Sequence, residues 1–101
     1  MEKVWLKSYP KGVPSEINLD EFQSLVDLFN QTCDRFNDQP AFTNFGVEVS
    51  FRELKSHSEN LSSFLLNEFN LKKGDRVSIM MPNILQYPIS TFGILKSGLV
   101  I

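Results

Sequence analysis

Apolar residues recur at helical spacing in the first third of the chain. They fall at i, i+3, i+4, i+7, i+8 and i+11 on one helix face: Leu25, Leu28, Phe29, Thr32, Cys33 and Phe36. Ser24 followed by Asp27 resembles a capping box at the start of this helix, with Asp in place of the commoner Glu or Gln. Pro40 disfavours helical backbone in the residue before it, so the helix is expected to end ahead of it.

Two short extended stretches and a second helix follow. Ala41–Asn44 and Val47–Val49 flank Phe45-Gly46, which predicts a β-hairpin in which the glycine supplies a positive φ. A full capping box, Ser50-Phe51-Arg52-Glu53, begins the second helix. The apolar stripe of this helix contains Leu54, Ser58, Leu61, Phe64, Leu65 and Phe69. Asn70 is expected in left-handed backbone at its C-terminal end.

The last part of the chain alternates a strand with a helix. Leu71–Asp75 is a turn, and the largely apolar run Arg76–Met81 is typical of a strand that is covered on both faces. Ile84–Lys96 has helical spacing. Asn83 is expected to cap this helix, and Pro88 to remove one helical hydrogen bond and kink it slightly.

The order of elements predicts an α/β protein: helix, β-hairpin, helix and then a βαβ unit. A right-handed connection makes Leu99–Ile101 the parallel neighbour of the preceding strand. Three residues are fewer than the roughly five or six of a usual strand, so we expect the βαβ unit to be cut short in mid-strand. The exposed edge left at Leu99–Ile101 would favour strand pairing between chains. Residues 1–20 are predicted to be an irregular arm, and residues 21–101 a partial α/β domain.

Composition limits the possible classes of protein. Hydrophobic residues make up 42% and charged residues 22%, the balance of an ordinary folded domain. The net charge of −2 comes without a basic stripe, which argues against nucleic-acid binding. The sequence has no signal-peptide pattern and no apolar stretch of about 18 residues, so we expect a cytoplasmic protein.

Four sets of residues could belong to a functional site, but for each of them a purely structural role is favoured. Cys33 lies on an apolar helix face and is expected to be a buried hydrophobe rather than a nucleophile. His57 has no second ligand at a metal-binding spacing, which favours a helix-surface or partly buried histidine over a metal ligand or an acid–base group. Met80-Met81 is expected to pack in the core rather than line a pocket. Lys72-Lys73 belongs to a solvated turn in which Gly74-Asp75 has a structural role.

The common catalytic motifs are absent from the sequence. It contains neither Gly-x-Gly-x-x-Gly nor Gly-x-x-x-x-Gly-Lys-Ser/Thr, and neither Cys-x-x-Cys nor His-Glu-x-x-His. Asp and Glu are scattered over predicted helix surfaces, caps and turns, whereas acid–base chemistry needs them to converge. The residues alone therefore indicate part of an α/β protein without a catalytic apparatus.

Several motifs resemble those at the start of the adenylate-forming, AMP-binding ligases. The widespread ones are Gln39-Pro40-Ala41, Ser50-Phe51-Arg52-Glu53-Leu54 and Gly74-Asp75-Arg76-Val77. The narrower ones are Trp5-Leu6 with Tyr9-Pro10, and Met80-Met81-Pro82-Asn83-Ile84-Leu85-Gln86-Tyr87-Pro88. The narrower motifs are similar to those of the bacterial long-chain fatty-acid–CoA ligases. The resemblance covers essentially the whole chain and implies the N-terminal part of the large domain.

This resemblance implies an enzyme with two half-reactions. A fatty carboxylate would attack ATP in the presence of Mg²⁺, and coenzyme A would then displace AMP to form acyl-CoA. The family holds the phosphates with a Ser/Thr/Gly-rich loop ending in Lys-Gly and uses a lysine of a C-terminal domain. Neither pattern occurs in residues 1–101, so we assign them no catalytic, cofactor-binding or metal residue. We expect this fragment alone to be inactive and to bind none of these groups.

The partners implied are the fatty acid, ATP and coenzyme A as substrates of the parent enzyme. Formation of a homodimer through the arm and peripheral attachment to the inner face of the membrane are left open. An alternative from another class is a stand-alone α/β interaction module without catalysis. Trp5 and Tyr9 would then be its anchors.

Overall fold

The computed structural model describes residues 2–101; Met1, the first residue of the predicted arm, lies outside the described residues. The described elements are a 3₁₀ helix (Val4–Ser8), α1 (Leu25–Phe36), β1 (Pro40–Asn44), β2 (Val47–Ser50), α2 (Phe51–Asn67) and α3 (Gln86–Lys96). The predicted α/β class and the order helix, hairpin, helix are confirmed.

The start of α1 follows the predicted capping box in part. The Asp27 amide donates to Ser24 Oγ (3.1 Å), as expected. The Asp27 carboxylate, however, accepts from the backbone N–H of Gln23 (3.1 Å), one residue before the N-cap. On the predicted stripe, Phe29 and Cys33 are buried, whereas Leu25 is 64% exposed. Only the centre of the stripe therefore reaches the core.

The hairpin confirms the predicted turn. β1 and β2 pair antiparallel, with Asn44 opposite Val47 at the end of the ladder. Phe45 and Gly46 have φ angles of +49° and +77°. Positive φ at both central residues is the type I′ geometry, which matches the right-handed twist of paired strands.

The capping box of α2 is complete. The Glu53 amide donates to Ser50 Oγ (3.2 Å), and the Ser50 amide donates to the Glu53 carboxylate (2.9 Å). On the predicted stripe, Leu54, Ser58 and Leu65 are buried.

The C-terminal end of α2 is less buried than its pattern predicts. Phe64 is half exposed and Phe69 is 61% exposed, so these two residues of the predicted stripe lie outside the core. Their rings contact each other edge to face at 5.3 Å instead. Asn70 has a φ of +52°, as predicted for left-handed backbone beyond the helix.

The packing of α2 on α3 is the most extensive contact between the described elements. A Cβ added to Gly93 would come within 2.9 Å of Leu61 Cδ2, so the absence of a side chain sets how closely the helices approach. Ser58 Oγ donates to the Ile89 carbonyl (3.3 Å), and Ser97 Oγ bonds to Ser62 Oγ (2.8 Å). Hydrogen bonds thus satisfy the buried hydroxyl groups of Ser58 and Ser97.

The core has two centres. One contains Phe29, Cys33 and Leu54, where the Phe29 ring stacks on Phe92 with centroids 4.0 Å apart. The other contains Leu65, Ile94 and Leu99. Because α2 and α3 contribute to both, these two helices form the centre of the fold.

Two predictions about α3 are wrong. Its N-cap is Leu85, without a capping side-chain hydrogen bond, so Asn83 does not cap it. Pro88 is the third residue of the helix and not an interior residue. The first four N–H groups of a helix have no intrahelical acceptor, so proline removes no helical hydrogen bond here.

The predicted parallel pairing forms at one point. Arg76 and Val100 make a parallel bridge, in which the Val77 amide donates to the Val100 carbonyl and the Val100 amide to the Asp75 carbonyl, both at 2.8 Å. The parallel direction is confirmed. Residues 78–81 form no strand with any described residue, which corrects the prediction of a strand over residues 76–81. Met80 is 94% exposed, so its expected core position is also wrong.

The predicted arm contains some regular structure. Val4–Ser8 forms the 3₁₀ helix, and Lys3 Nζ lies 2.9 Å from the Glu16 carboxylate, which joins two parts of the arm. Trp5 is 49% and Tyr9 42% exposed. The division into an arm of residues 1–20 and a domain of residues 21–101 stays a prediction.

Candidate functional site

A groove lies between the hairpin and the first turn of α3, and we call it the hairpin groove. Its volume is about 410 Å³, within the size range of small-molecule sites. Its lining residues are Phe42, Thr43, Asn44, Asn83, Ile84, Leu85, Tyr87, Pro88 and Thr91. None of them is charged, so the hairpin groove suits an apolar or neutral group rather than an anion.

Polar contacts hold the walls of the groove together. Asn44 Nδ2 donates to the Asn83 carbonyl (3.4 Å) and connects the hairpin to the segment before α3. Thr43 Oγ1 bonds to the Glu48 carboxylate (3.3 Å) across the hairpin. The hydroxyl of Thr91 is buried and has no hydrogen-bond partner among residues 2–101. Sequence reasoning missed this groove, because its walls are distant in sequence and no local motif marks it.

Lys96 forms a second polar cluster at the junction of the three helices. Its Nζ donates to Asn30 Oδ1 and to Glu59 Oε1, both at 2.9 Å, and its side chain is only 14% exposed. The ammonium also lies 5.7 Å from the centroid of the Phe29 ring. With these partners, Lys96 joins α1, α2 and α3 and has a structural role.

Cys33 and His57 are the residues whose side chains could act in catalysis, and they lie in different environments. Cys33 is 1% exposed, and burial raises the pKa of its thiol, although Lys55 and Lys96 partly oppose this. A protonated, inaccessible thiol is a poor nucleophile, in agreement with the predicted core position. His57 lies exposed on α2 and does not line the hairpin groove.

The turn at residues 72–75 is held by its own hydrogen bonds. The Lys72 amide donates to the Asp75 carboxylate (2.8 Å), and the Asp75 amide donates to the Lys72 carbonyl (2.9 Å). Gly74 has a φ of +93°, and its amide donates to the Gly98 carbonyl (3.0 Å). This supports the structural interpretation of Gly74 and Asp75, while Lys72 and Lys73 remain exposed.

Two of the three α-helix N-termini in residues 2–101 do not suit the phosphates of ATP. Asp27 lies at the start of α1 and Glu53 at the start of α2, and both repel an anion at these helix N-termini. The N-terminus of α3 opens on the uncharged hairpin groove. The same part of the chain contains no group of three His, Cys, Asp or Glu side chains able to hold a metal ion. That no site residue lies in this chain stays a prediction.

Hydropathy adds one observation about membranes. Among the residues that the structure describes, no helix has both the length and the apolar character needed to cross a bilayer.

Comparison with known proteins assigns the chain to a family. The model of the family described as AMP-binding enzyme matches residues 29–101, which is most of the chain. The chain belongs to the AMP-binding enzyme family. The resemblance inferred from the motifs of residues 39–54 and 74–77 is confirmed.

Individual relatives of this AMP-binding chain agree with the assignment. The long-chain-fatty-acid–CoA ligase of Escherichia coli O6:H1 is 52% identical over 101 residues, covering 100% of this chain and 18% of the relative. The ligase of that name from Yersinia pestis is 48% identical with the same coverage. The chain therefore spans about a fifth of the length of these curated relatives.

A solved structure supports the fold of this part of the AMP-binding family. NpsA-ThdA, an artificially fused adenylation–PCP di-domain NRPS from Klebsiella oxytoca, matches with a TM-score of 0.74 and 28% sequence identity. The match covers 78% of this chain and 15% of that chain. The predicted fold class, the N-terminal part of an adenylate-forming domain, is confirmed.

Proposed function

We propose that this chain is the N-terminal part of a long-chain fatty-acid–CoA ligase. The observation that carries the proposal is the 52% identity with such a ligase along all 101 residues. The complete enzyme would take a fatty acid, ATP and coenzyme A as substrates and form acyl-CoA.

The proposed chemistry overcomes the low reactivity of a carboxylate. A carboxylate is a poor electrophile, so its oxygen attacks the α-phosphate of ATP, and pyrophosphate leaves as the acyl-adenylate forms. The thiol of coenzyme A then attacks the acyl carbon, and AMP leaves. AMP is a good leaving group because an electrostatically preorganised site stabilises its developing charge.

The role proposed for residues 1–101 is to support the large domain rather than to carry this chemistry. The close packing of α2 on α3 at Gly93 and the paired ammonium of Lys96 give a fixed arrangement of helices. The Arg76–Val100 bridge sets a parallel strand direction beside them. These features support a scaffold role, and no catalytic, nucleotide or metal residue is proposed among them.

Three further proposals concern the complete protein. It is cytoplasmic, it forms a homodimer to which the arm of residues 1–20 contributes, and it attaches peripherally to the inner face of the membrane. The exposed aromatic residues Trp5 and Tyr9 support the second proposal. Cell fractionation tests the first and third, and light scattering with and without residues 1–20 tests the second.

The ligase proposal is tested on the complete gene product. We expect pyrophosphate exchange into ATP that depends on a long-chain fatty acid, and acyl-CoA once coenzyme A is added. The gene beyond codon 101 should encode a Thr-Gly-Gly-Thr-Thr-Gly-type loop. Absence of both the loop and the exchange would contradict the proposal and favour the interaction module.

The scaffold role is tested on the 101-residue chain itself. Isothermal titration calorimetry with ATP and with palmitoyl-CoA should give no heat of binding. Micromolar binding of either molecule would show that a site lies within this chain. That outcome would overturn the scaffold role and leave the ligase proposal intact.

A further inference from the structure

We draw no further inference here: the strongest candidate, the apolar hairpin groove between β1 and the first turn of α3, is an unpartnered apolar surface, and nothing in the structure shows what covers it.

Discussion

Glu53 couples the stability of α2 to pH. Hydrogen bonds from the Ser50 amide and the Ser50 hydroxyl lower the pKa of its carboxyl group below its ordinary value. A lowered folded-state pKa means that the ionised carboxylate stabilises the fold at neutral pH and that this contribution is lost as pH falls through the folded-state value. We expect the denaturation midpoint of the native chain to fall from pH 5 to pH 3 more than that of Glu53→Gln, which keeps a capping side chain without the charge.

The matched control for this experiment is Glu21→Gln, because Glu21 lies outside the capping box. It removes the same charge and should leave the pH dependence of the native chain almost unchanged. If the denaturation midpoints of Glu53→Gln and Glu21→Gln changed equally with pH, Glu53 would not be the group that links stability to pH.

Phe45 occupies a conformation that suits another residue better. Its φ is +49° in the type I′ turn, and its ring is 94% exposed, so the side chain gains little from packing. Asparagine tolerates left-handed backbone and is preferred at this position. We expect Phe45→Asn to raise the free energy of unfolding by about 1 kcal/mol, at the low end of the cost of a left-handed non-glycine residue.

Chemical denaturation checks this prediction, with Phe45→Val as the matched comparison. Valine is β-branched and disfavours positive φ more strongly, so it should lower the denaturation midpoint. An Asn variant no more stable than the Val variant would mean that the φ of residue 45 does not limit stability.

At the scale of elements, Lys96 holds α1, α2 and α3 together. Replacing it by methionine keeps most of the apolar stem but removes the bonds to Asn30 and Glu59. Hydrogen bonds to charged groups contribute roughly 1.5–3 kcal/mol, and solvation of the half-exposed Glu59 reduces the loss. We therefore expect Lys96→Met to lower the free energy of unfolding by about 1–2 kcal/mol, measured by urea denaturation.

Lys55→Met is the matched control for this junction. Lys55 pairs with Asp34 between α2 and α1, but 29% of its side chain and 69% of that of Asp34 are exposed. Solvent-exposed pairs contribute about 0–1 kcal/mol, so the loss should be smaller and should decrease with added salt. A larger loss for Lys55→Met than for Lys96→Met would contradict the role assigned to Lys96.

The elements that the sequence predicts well are those with local signals. Ser50 and Glu53 lie three residues apart and satisfy each other's backbone N–H groups. The turn at Phe45-Gly46 likewise needs no distant partner. The start of α3 could not be predicted from Asn83, because its side chain makes no capping bond to the helix. Phe64 has the spacing of a core residue but is half exposed, whereas its neighbour Leu65 packs against Ile94 and Leu99, and periodicity alone does not reveal this difference.

At the scale of the whole molecule, residues 78–81 form no strand with the described chain, and one of them, Met80, is 94% exposed. An unpaired edge with apolar side chains favours pairing with another chain. We expect the 101-residue chain to associate at high concentration, and Met80→Lys to reduce this association without lowering the melting temperature. Light scattering over a concentration series measures the effect.

Ile17→Lys is the matched control for that prediction. Ile17 is 84% exposed on the predicted arm, so the substitution adds the same charge to another apolar position. Association should persist in this variant. Strictly monomeric behaviour of the native chain, or equal loss of association in both variants, would contradict a role for residues 78–81 in association.

The hairpin groove shows the limit of sequence reasoning at this scale. Asn44 and Asn83 meet across 39 positions of the chain, and no local pattern links them. The shape of a groove depends on how the hairpin is positioned against α3. Family membership was predictable, by contrast, because it depends on short motifs that can be compared without any knowledge of packing.

The burial of Cys33 allows thiol labelling to report on slow opening of the core around it. Cys33 is the single cysteine of the sequence, and its buried sulfur can meet a thiol reagent only when the packing around it opens. The labelling rate in native buffer therefore measures how often this part of the core opens, without an introduced cysteine. A substitution elsewhere that loosens the three-helix junction would accelerate labelling, even where the melting curve does not change.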